Sequence, residues 1–439
     1  MAVAPRATGP AGGIGEPAVN APSRGEDGPS TNRGSGSSSW RFVGPGLIAG
    51  ASDVDPTTVA AIAVVGATTV YGLAWLTLLL FPMLAVIQVI ATRVGYFTRA
   101  DLQTSVARHY GTTARWLLLA SVVGVTAITI AADLDAGAAA VGLLFGVDGR
   151  WFVSPVGIAA LALLFLHDYD QVSRVLRYLL ICLVAYGVAA VLAHPHWYAV
   201  ARASVVPQFR LTSDWTAGAL ALLGTTLTSY VYVWQTIEEA EDTVSPRASL
   251  ANKQRGAVLG VGFAVVIFWC ILVATGATLG VHHIHINTAQ DAARALRPVA
   301  GRWANDIFAF ALLASAIVAL PVLVATCAYV TGAEFHWHTG LSTPIRSAPR
   351  FYATIVAAVA LGAVIALSDL NPIHVLFAAS VIGGLATPIG LIFLLLIGNN
   401  SEAMHDHPLP GLLSLAGWAV VCTIAAAGIM AIGPTLAHI

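Results

Sequence analysis

Charge is what this 439-residue chain has least of: 10% of its residues are Asp, Glu, Lys or Arg, against 57% hydrophobic and a mean hydropathy of +0.79. Soluble domains carry about 25% charged residues, so a water-soluble surface is excluded. The four cysteines, Cys182, Cys270, Cys327 and Cys422, each sit alone in an apolar run, without the paired spacing of a zinc site or a disulfide framework. Net charge is -1 at pH 7, with no basic patch interleaved with aromatics, which excludes the footprint of a nucleic-acid binder. The His-Glu-x-x-His zinc motif, the Gly-x-Ser-x-Gly elbow and the phosphate loop are missing too, so neither an enzyme nor a bound cofactor is indicated.

What is present is a series of long apolar runs. About 20 apolar residues cross a bilayer as a helix, and runs near 43–66, 72–93, 115–144, 151–167, 175–193, 215–237, 256–281, 303–330, 351–368, 372–398 and 411–434 predict about 11 membrane helices. The fold class expected is therefore an all-α membrane protein in a lipid bilayer. Residues 1–40 are rich in Gly, Pro, Ser and Ala and lack apolar periodicity; they predict a disordered cytoplasmic tail. That tail has no apolar core of a secretory signal, so residues 41–439 are expected to form one transmembrane domain in the cell membrane.

Orientation follows from Lys and Arg, because cytoplasmic loops carry the positive excess. With the N-terminus inside, fifteen of the 21 fall on the inner side, including Arg93, Arg99, Arg108, Arg115, Arg174, Arg177, Arg247, Lys253, Arg255, Arg346 and Arg350. The other six are outside, three of them (Arg294, Arg297, Arg302) in one loop. An odd helix count then puts the C-terminus outside.

Acidic residues inside a span are costly and usually face a cavity, a partner or a pathway. Asp53, Asp55, Asp133 and Asp135 are the candidates. The first helix contains Asp53-Val54-Asp55-Pro56-Thr57-Thr58. Pro56 cannot donate the helical hydrogen bond and pushes Asp55 away from helical geometry. An unwound turn there exposes carbonyl oxygens beside a carboxylate, which is the ligand set hard cations prefer. A simple proline kink with Asp55 paired internally is the alternative. Asp53 points to another side, as an accessory acid or a mouth residue.

These residues resemble the Nramp family of divalent-metal transporters, and more closely its divergent Nramp-related branch, over most of 43–434. Gly44-Pro45-Gly46 and Asp55-Pro56-Thr57-Thr58 are similar to the family's first helix with its Asp-Pro-Gly-Asn motif, and Tyr71-Gly72-Leu73-Ala74-Trp75 to the start of its second. The resemblance implies that Asp55 is a metal ligand and that Thr58 stands where the motif has Asn. The family's Met-Pro-His on the sixth helix falls on Thr228, Ser229 and Tyr230, and its ligand-side Gln on the tenth helix falls on Ser380. Losing a methionine removes a soft ligand that favours transition metals. The implied site of Asp55, Thr58, Thr228, Ser229 and Ser380 is hard and roomy, suited to magnesium or manganese with part of its water shell. Small and hydroxyl residues also line ordinary helix contacts, which is the other reading of Thr228 and Ser229.

Asp133 matches a family acid associated with proton passage, whereas Ala136 falls where a companion Glu is expected and Asp135 is its imperfect substitute. With Tyr230 in place of the motif His, proton coupling is in doubt and protons are only a conditional partner. The resemblance further implies a LeuT-like inverted 5+5 repeat, repeat one at about 43–193 and repeat two at about 215–398, with broken helices 1 and 6 meeting at the midplane and an extra helix at about 411–434. No internal repeat is visible in the sequence, and without the family proline a break in helix 6 rests on Gly224 and the Ser/Thr run.

Of the remaining features, His282-His283-Ile284-His285 reads as a solvated outer loop or a metal-collecting tract, and His336-Trp337-His338 as an interfacial anchor. Glu238, Glu239, Glu241 and Asp242 read as solvated helix-end charge or as a cation-attracting cluster. Arg93 and Arg99 are expected to anchor helix ends by snorkelling. The function expected is transport of Mn2+ and/or Mg2+ by alternating access. The alternative is an amino-acid or other organic-solute transporter on the same fold, which Asp55 disfavours by repelling a substrate carboxylate.

Overall fold

The computed structural model describes residues 53–165, 184, 186–210, 212–241, 249–284, 286, 304–341, 343–368 and 372–436. All regular structure among them is helical. The expected tail at 1–40, the first half of helix 1, Cys182, Asp242 and His285 lie outside the described residues.

The elements are α1 (Pro56–Thr69), α2 (Ala74–Thr98), α3 (Leu102–His109), α4 (Thr112–Phe145), α5 (Val153–Phe165), α6 (Trp197–Val205), α7 (Ser213–Thr226), α8 (Ser229–Glu241), α9 (Leu250–Thr275), α10 (Ala304–Glu334), α11 (Pro349–Ala366), α12 (Pro372–Asn399) and α13 (Gly411–Leu436). Residues 186–192 are helical as well. Among the described residues eight helices are long and apolar enough to cross a membrane, and Pro56–Thr69 and Gly149–Phe165 are shorter apolar ones. Large apolar side chains stand exposed around the outside, among them Ile158 at 65%, Val364 at 69% and Leu412 at 82%. A bilayer is the solvent that tolerates such a surface. The chain is a multi-pass membrane protein.

Two short helices fall where sequence reading expects loops. In α3, Asp101 caps the first turn by accepting from Thr104 N at 2.9 Å, and Leu102 N donates to Thr236 Oγ1 of α8 at 3.0 Å. Burial pushes the Asp101 carboxyl above the ordinary carboxylate range, against the lowering effect of the hydrogen bonds it accepts from Thr104. An eight-residue amphipathic stretch between two spans is too short and too polar to register as an apolar run, so only packing reveals it. The same holds for α6.

At the acidic end of the sixth span Glu239 is buried and Glu241 exposed, and both have partners. Glu239 is 7% exposed and pairs with Lys253 Nζ at 2.5 Å, and Glu241 accepts the Tyr329 hydroxyl at 2.5 Å. Glu334, at the end of α10, pairs with Arg115 Nη2 at 2.8 Å and accepts from Gln103 Nε2 at 2.8 Å. Charges at these helix ends tie one helix to the next. Arg93 anchors as expected: its guanidinium lies over the Phe97 ring and donates to the His407 and Pro408 carbonyls. Trp337 takes the Arg350 guanidinium over its ring and stacks on Phe335, in keeping with its reading as an anchor.

The long α4 is the scaffold against which α10, α11 and α12 pack, and α1 packs on α7, α9 and α12. Glycine permits the closest of these approaches. A Cβ on Gly66 would fall within 3.0 Å of the Leu272 carbonyl on α9, and one on Gly224 would fall within that distance of backbone atoms of Ser380 and Gly384 on α12. The last turns of α1 are thereby held against α9, and the end of α7 against α12.

Candidate cation site

The site begins with the proline. Asp53 and Val54 are non-helical, Asp55 is extended (φ -78, ψ 165), and Pro56 is the first residue of α1. This is the preferred place for proline, because the first helical N–H lacks a partner anyway. Asp55 is the N-cap: its Oδ1 accepts from Thr58 N at 2.6 Å. A capping carboxylate meets both the orphan N–H groups and the positive end of the helix dipole. So the residue that the proline keeps out of helical geometry also caps the helix that follows.

The sixth span is broken. Helix α7 ends at Thr226, α8 starts at Ser229, and Leu227 closes the first half through its N–H to the Leu223 carbonyl. No proline is needed. Thr226 Oγ1 bonds back to the Leu222 carbonyl at 2.6 Å, a hydroxyl bond that competes with regular helical geometry. At the interrupted end, the Thr225 carbonyl accepts from Thr58 Oγ1 at 3.3 Å, while the Thr58 and Thr225 hydroxyls lie 2.9 Å apart. On the other side of the break, the Tyr230 hydroxyl donates to Asp55 Oδ2 at 2.9 Å. Asp55 and Thr58 are thus stitched to both halves of the broken span.

These groups surround a small cavity lined by Asp55, Thr57, Thr225, Thr228, Tyr230 and Ser380, with Thr129, Gly224 and Ala379 completing the wall. At its centre there is room for about one water. The roomy site expected above, sized for an ion with part of its water shell, is not what this conformation holds: the threonines of α1 and α7 bond to each other and little space is left between the walls. Among the described residues no cluster of three or more His, Cys, Asp or Glu side chains forms. The wall therefore offers one carboxylate, hydroxyls and backbone carbonyls, which are hard oxygen ligands.

The expected site residues separate into two groups. Asp55, Thr228, Tyr230 and Ser380 face the cavity. Thr58 is adjacent, its hydroxyl turned to Thr225. Ser229 is buried with its hydroxyl unpartnered and lies off the wall. Asp133 is fully buried, its Oδ1 accepting from Thr57 N at 3.1 Å and Thr57 Oγ1 at 2.6 Å, and its Oδ2 unpartnered. Asp53 is 1% exposed, and neither of its carboxylate oxygens has a partner.

Asp135 is not brought to this site. Two residues along a helix turn the side chain by about 200°, so it leaves the Asp133 face and lines a separate cavity with Ile365 and Ser368. We expect Asp135→Asn to leave cation transport within about twofold of native, as befits a change away from the site, measured as initial uptake in vesicles. Sequence reading missed Thr57, Thr129 and Thr225. Thr129 was findable, because it stands four residues before Asp133 and shares its helix face; Thr57 and Thr225 needed the tertiary fold.

Comparison with known proteins follows this geometry. Residues 46–433 match the Nramp family model, natural resistance-associated macrophage protein-like. The chain is 26% identical over 404 residues to the divalent metal cation transporter MntH of Listeria welshimeri, and 27% over 399 residues to MntH of Deinococcus radiodurans, covering 88% of each chain in both cases. In structure it is similar to the Eremococcus coleocola manganese transporter, with a TM-score of 0.68 and 17% identity over 92% of this chain and 89% of that one. It is also similar to MhsT in complex with L-phenylalanine, with a TM-score of 0.57 and 15% identity over 90% and 98% of the two chains. The fold is accordingly all-α, with the LeuT-like inverted 5+5 repeat. A match over nearly the whole membrane domain, on a chain whose sixth span breaks beside a buried aspartate at the start of α1, leaves one assignment: it belongs to the Nramp family.

Proposed function

We propose that this chain carries divalent metal cations, manganese and magnesium foremost, across the membrane by alternating access around Asp55. The observation that carries the reading is the placement of Asp55: a fully buried carboxylate at an unwound turn, facing the break in the sixth span across an oxygen-lined cavity. Such a group is costly in a membrane protein unless a cation visits it. The names of the relatives, divalent metal cation and manganese transporters, support the same cargo. Asp55, Thr228 and Ser380 are the proposed ligands, with the Thr58 and Ser229 hydroxyls joining as the walls move. The cation is substrate, and the reading requires no cofactor and no covalent chemistry.

In this reading residues 43–193 and 215–398 are the two repeats, 411–434 is an added helix, and the N-terminus is cytoplasmic with the C-terminus outside. Rocking of one repeat on the other opens the cavity to each side in turn. Protons are not obligatory partners: Tyr230 and Ala136 stand where the family's His and Glu are expected, and Asp135 lines another cavity. Asp133, held by Thr57, would be the group to carry a proton.

Vesicles reconstituted with the purified chain test this directly. Saturable uptake of Mn2+ and Mg2+, with no uptake of amino acids, is expected. An internal pH dye reports whether acidification accompanies the cation. Absence of any divalent flux, or amino-acid flux in its place, would remove the proposal.

A further inference from the structure

Tyr230 occupies the first turn of α8, two residues beyond the break, and is fully buried. Its phenol oxygen lies 2.9 Å from Asp55 Oδ2, and its side chain forms part of the cavity wall. Across the break, the Thr58 and Thr225 hydroxyls lie at the same 2.9 Å spacing. Around an octahedral magnesium ion, with bonds of about 2.1 Å, neighbouring ligand oxygens stand about 3.0 Å apart. Calcium takes six to eight oxygens at about 2.3–2.6 Å, a larger shell that needs more ligands and more room. A hydrogen-bonded pair of oxygens is already spaced as one edge of a small ion's shell.

From this juxtaposition, and resting on the cation reading above, we propose that Tyr230 is a ligand to the transported ion and the residue that sets its selectivity. An ion entering beside Asp55 takes over Oδ2. The phenol O–H turns away from the carboxylate while staying protonated, and its oxygen becomes the adjacent corner of the shell. A magnesium-sized ion needs no separation of the two oxygens. Calcium's larger shell needs the walls to move apart, although the Thr58–Thr225 contact and the Gly224 approach to α12 pin one half of the span. Softness works on the other flank: a phenol oxygen is a hard donor and gives cadmium no thiolate- or thioether-like partner. Tyr230 thus disfavours calcium by the room its shell needs and cadmium by chemistry.

Binding of Mn2+, Mg2+, Ca2+ and Cd2+ to the full-length chain in detergent, by titration calorimetry, tests this. Tyr230→Phe removes one oxygen and keeps the ring. It is expected to raise the Mn2+ and Mg2+ dissociation constants about tenfold or more, as losses around a metal shell do, and to bring Mg2+ and Ca2+ closer together. Tyr230→Met is expected to shift the preference toward Cd2+ over Mg2+ by about tenfold or more. Melting curves check that each variant is folded, and if the Phe variant is not, the Met variant still supplies the selectivity ratio. Tyr230 is not a ligand if Phe binds Mn2+ within twofold of native, or if the variants change all four ions by one common factor. If the native chain binds none of the four ions, the cation-site reading itself fails; if it binds them and the ratios do not move, only the role of Tyr230 fails.

Discussion

Asp55→Ala should reduce Mn2+ and Mg2+ uptake to that of protein-free vesicles. Two roles meet in this carboxylate, and two substitutions separate them. As N-cap of α1 it accepts from Thr58 N at 2.6 Å, and replacing such a cap by alanine costs about 1 kcal/mol. As the charged partner of a buried cation its removal should cost about 3–5 kcal/mol, equivalent to roughly two to three and a half decades in binding. Asparagine caps as well as aspartate does. Asp55→Asn should therefore melt near the native temperature and still transport nothing, whereas Asp55→Ala loses stability as well as flux. Native-like uptake by the Asn variant would show that the carboxylate charge is not what holds the ion.

Gly224→Ala is expected to prevent assembly of the membrane domain. Its Cβ would fall within 3.0 Å of the Ser380 carbonyl and of the Gly384 backbone, and Gly384 in turn lies against the Leu220 carbonyl. Extra methyl groups in packed cores cost about 1–3 kcal/mol where side chains can yield; here the obstacles are backbone, so the cost lies at or beyond the upper end. Gly124→Ala is the matched control. A Cβ there meets nothing within 4 Å, and in a helix interior alanine is favoured over glycine by up to about 1 kcal/mol. Melting temperature and the monodisperse yield in detergent read both. A Gly224→Ala protein that melts like the native one would mean that α7 and α12 are not in backbone contact.

The helical, membrane-spanning class was legible because it rests on summed apolar length, which the order of residues alone states. Asp55-Pro56 was legible for a local reason: proline acts on the residue before it and on its own N–H whatever surrounds them. The structure sharpened that reading by making Asp55 a helix cap. The break in the sixth span was less legible. It depends on Thr226 bonding back to Leu222 and on the Thr225 carbonyl meeting Thr58, a residue 167 positions away. No local propensity of a Thr-Thr-Leu-Thr-Ser run encodes such a partner.

Acidic residues divide along the same line. That Asp53, Asp55, Asp133 and Asp135 are expensive follows from type and depth, and so could be stated from the chain alone. Which of them share a site does not. Asp133 reaches helix 1 through Thr57, and Asp135 turns to a different cavity. Glu239 and Glu241, read as free or solvated charge, find Lys253 and Tyr329. Sequence by itself determined the bilayer as solvent, the non-helical turn before Pro56 and the carboxylate at that place. Tertiary structure decided which hydroxyls and which phenol stand around it and how little space they leave, because those are distances between residues that only packing brings together.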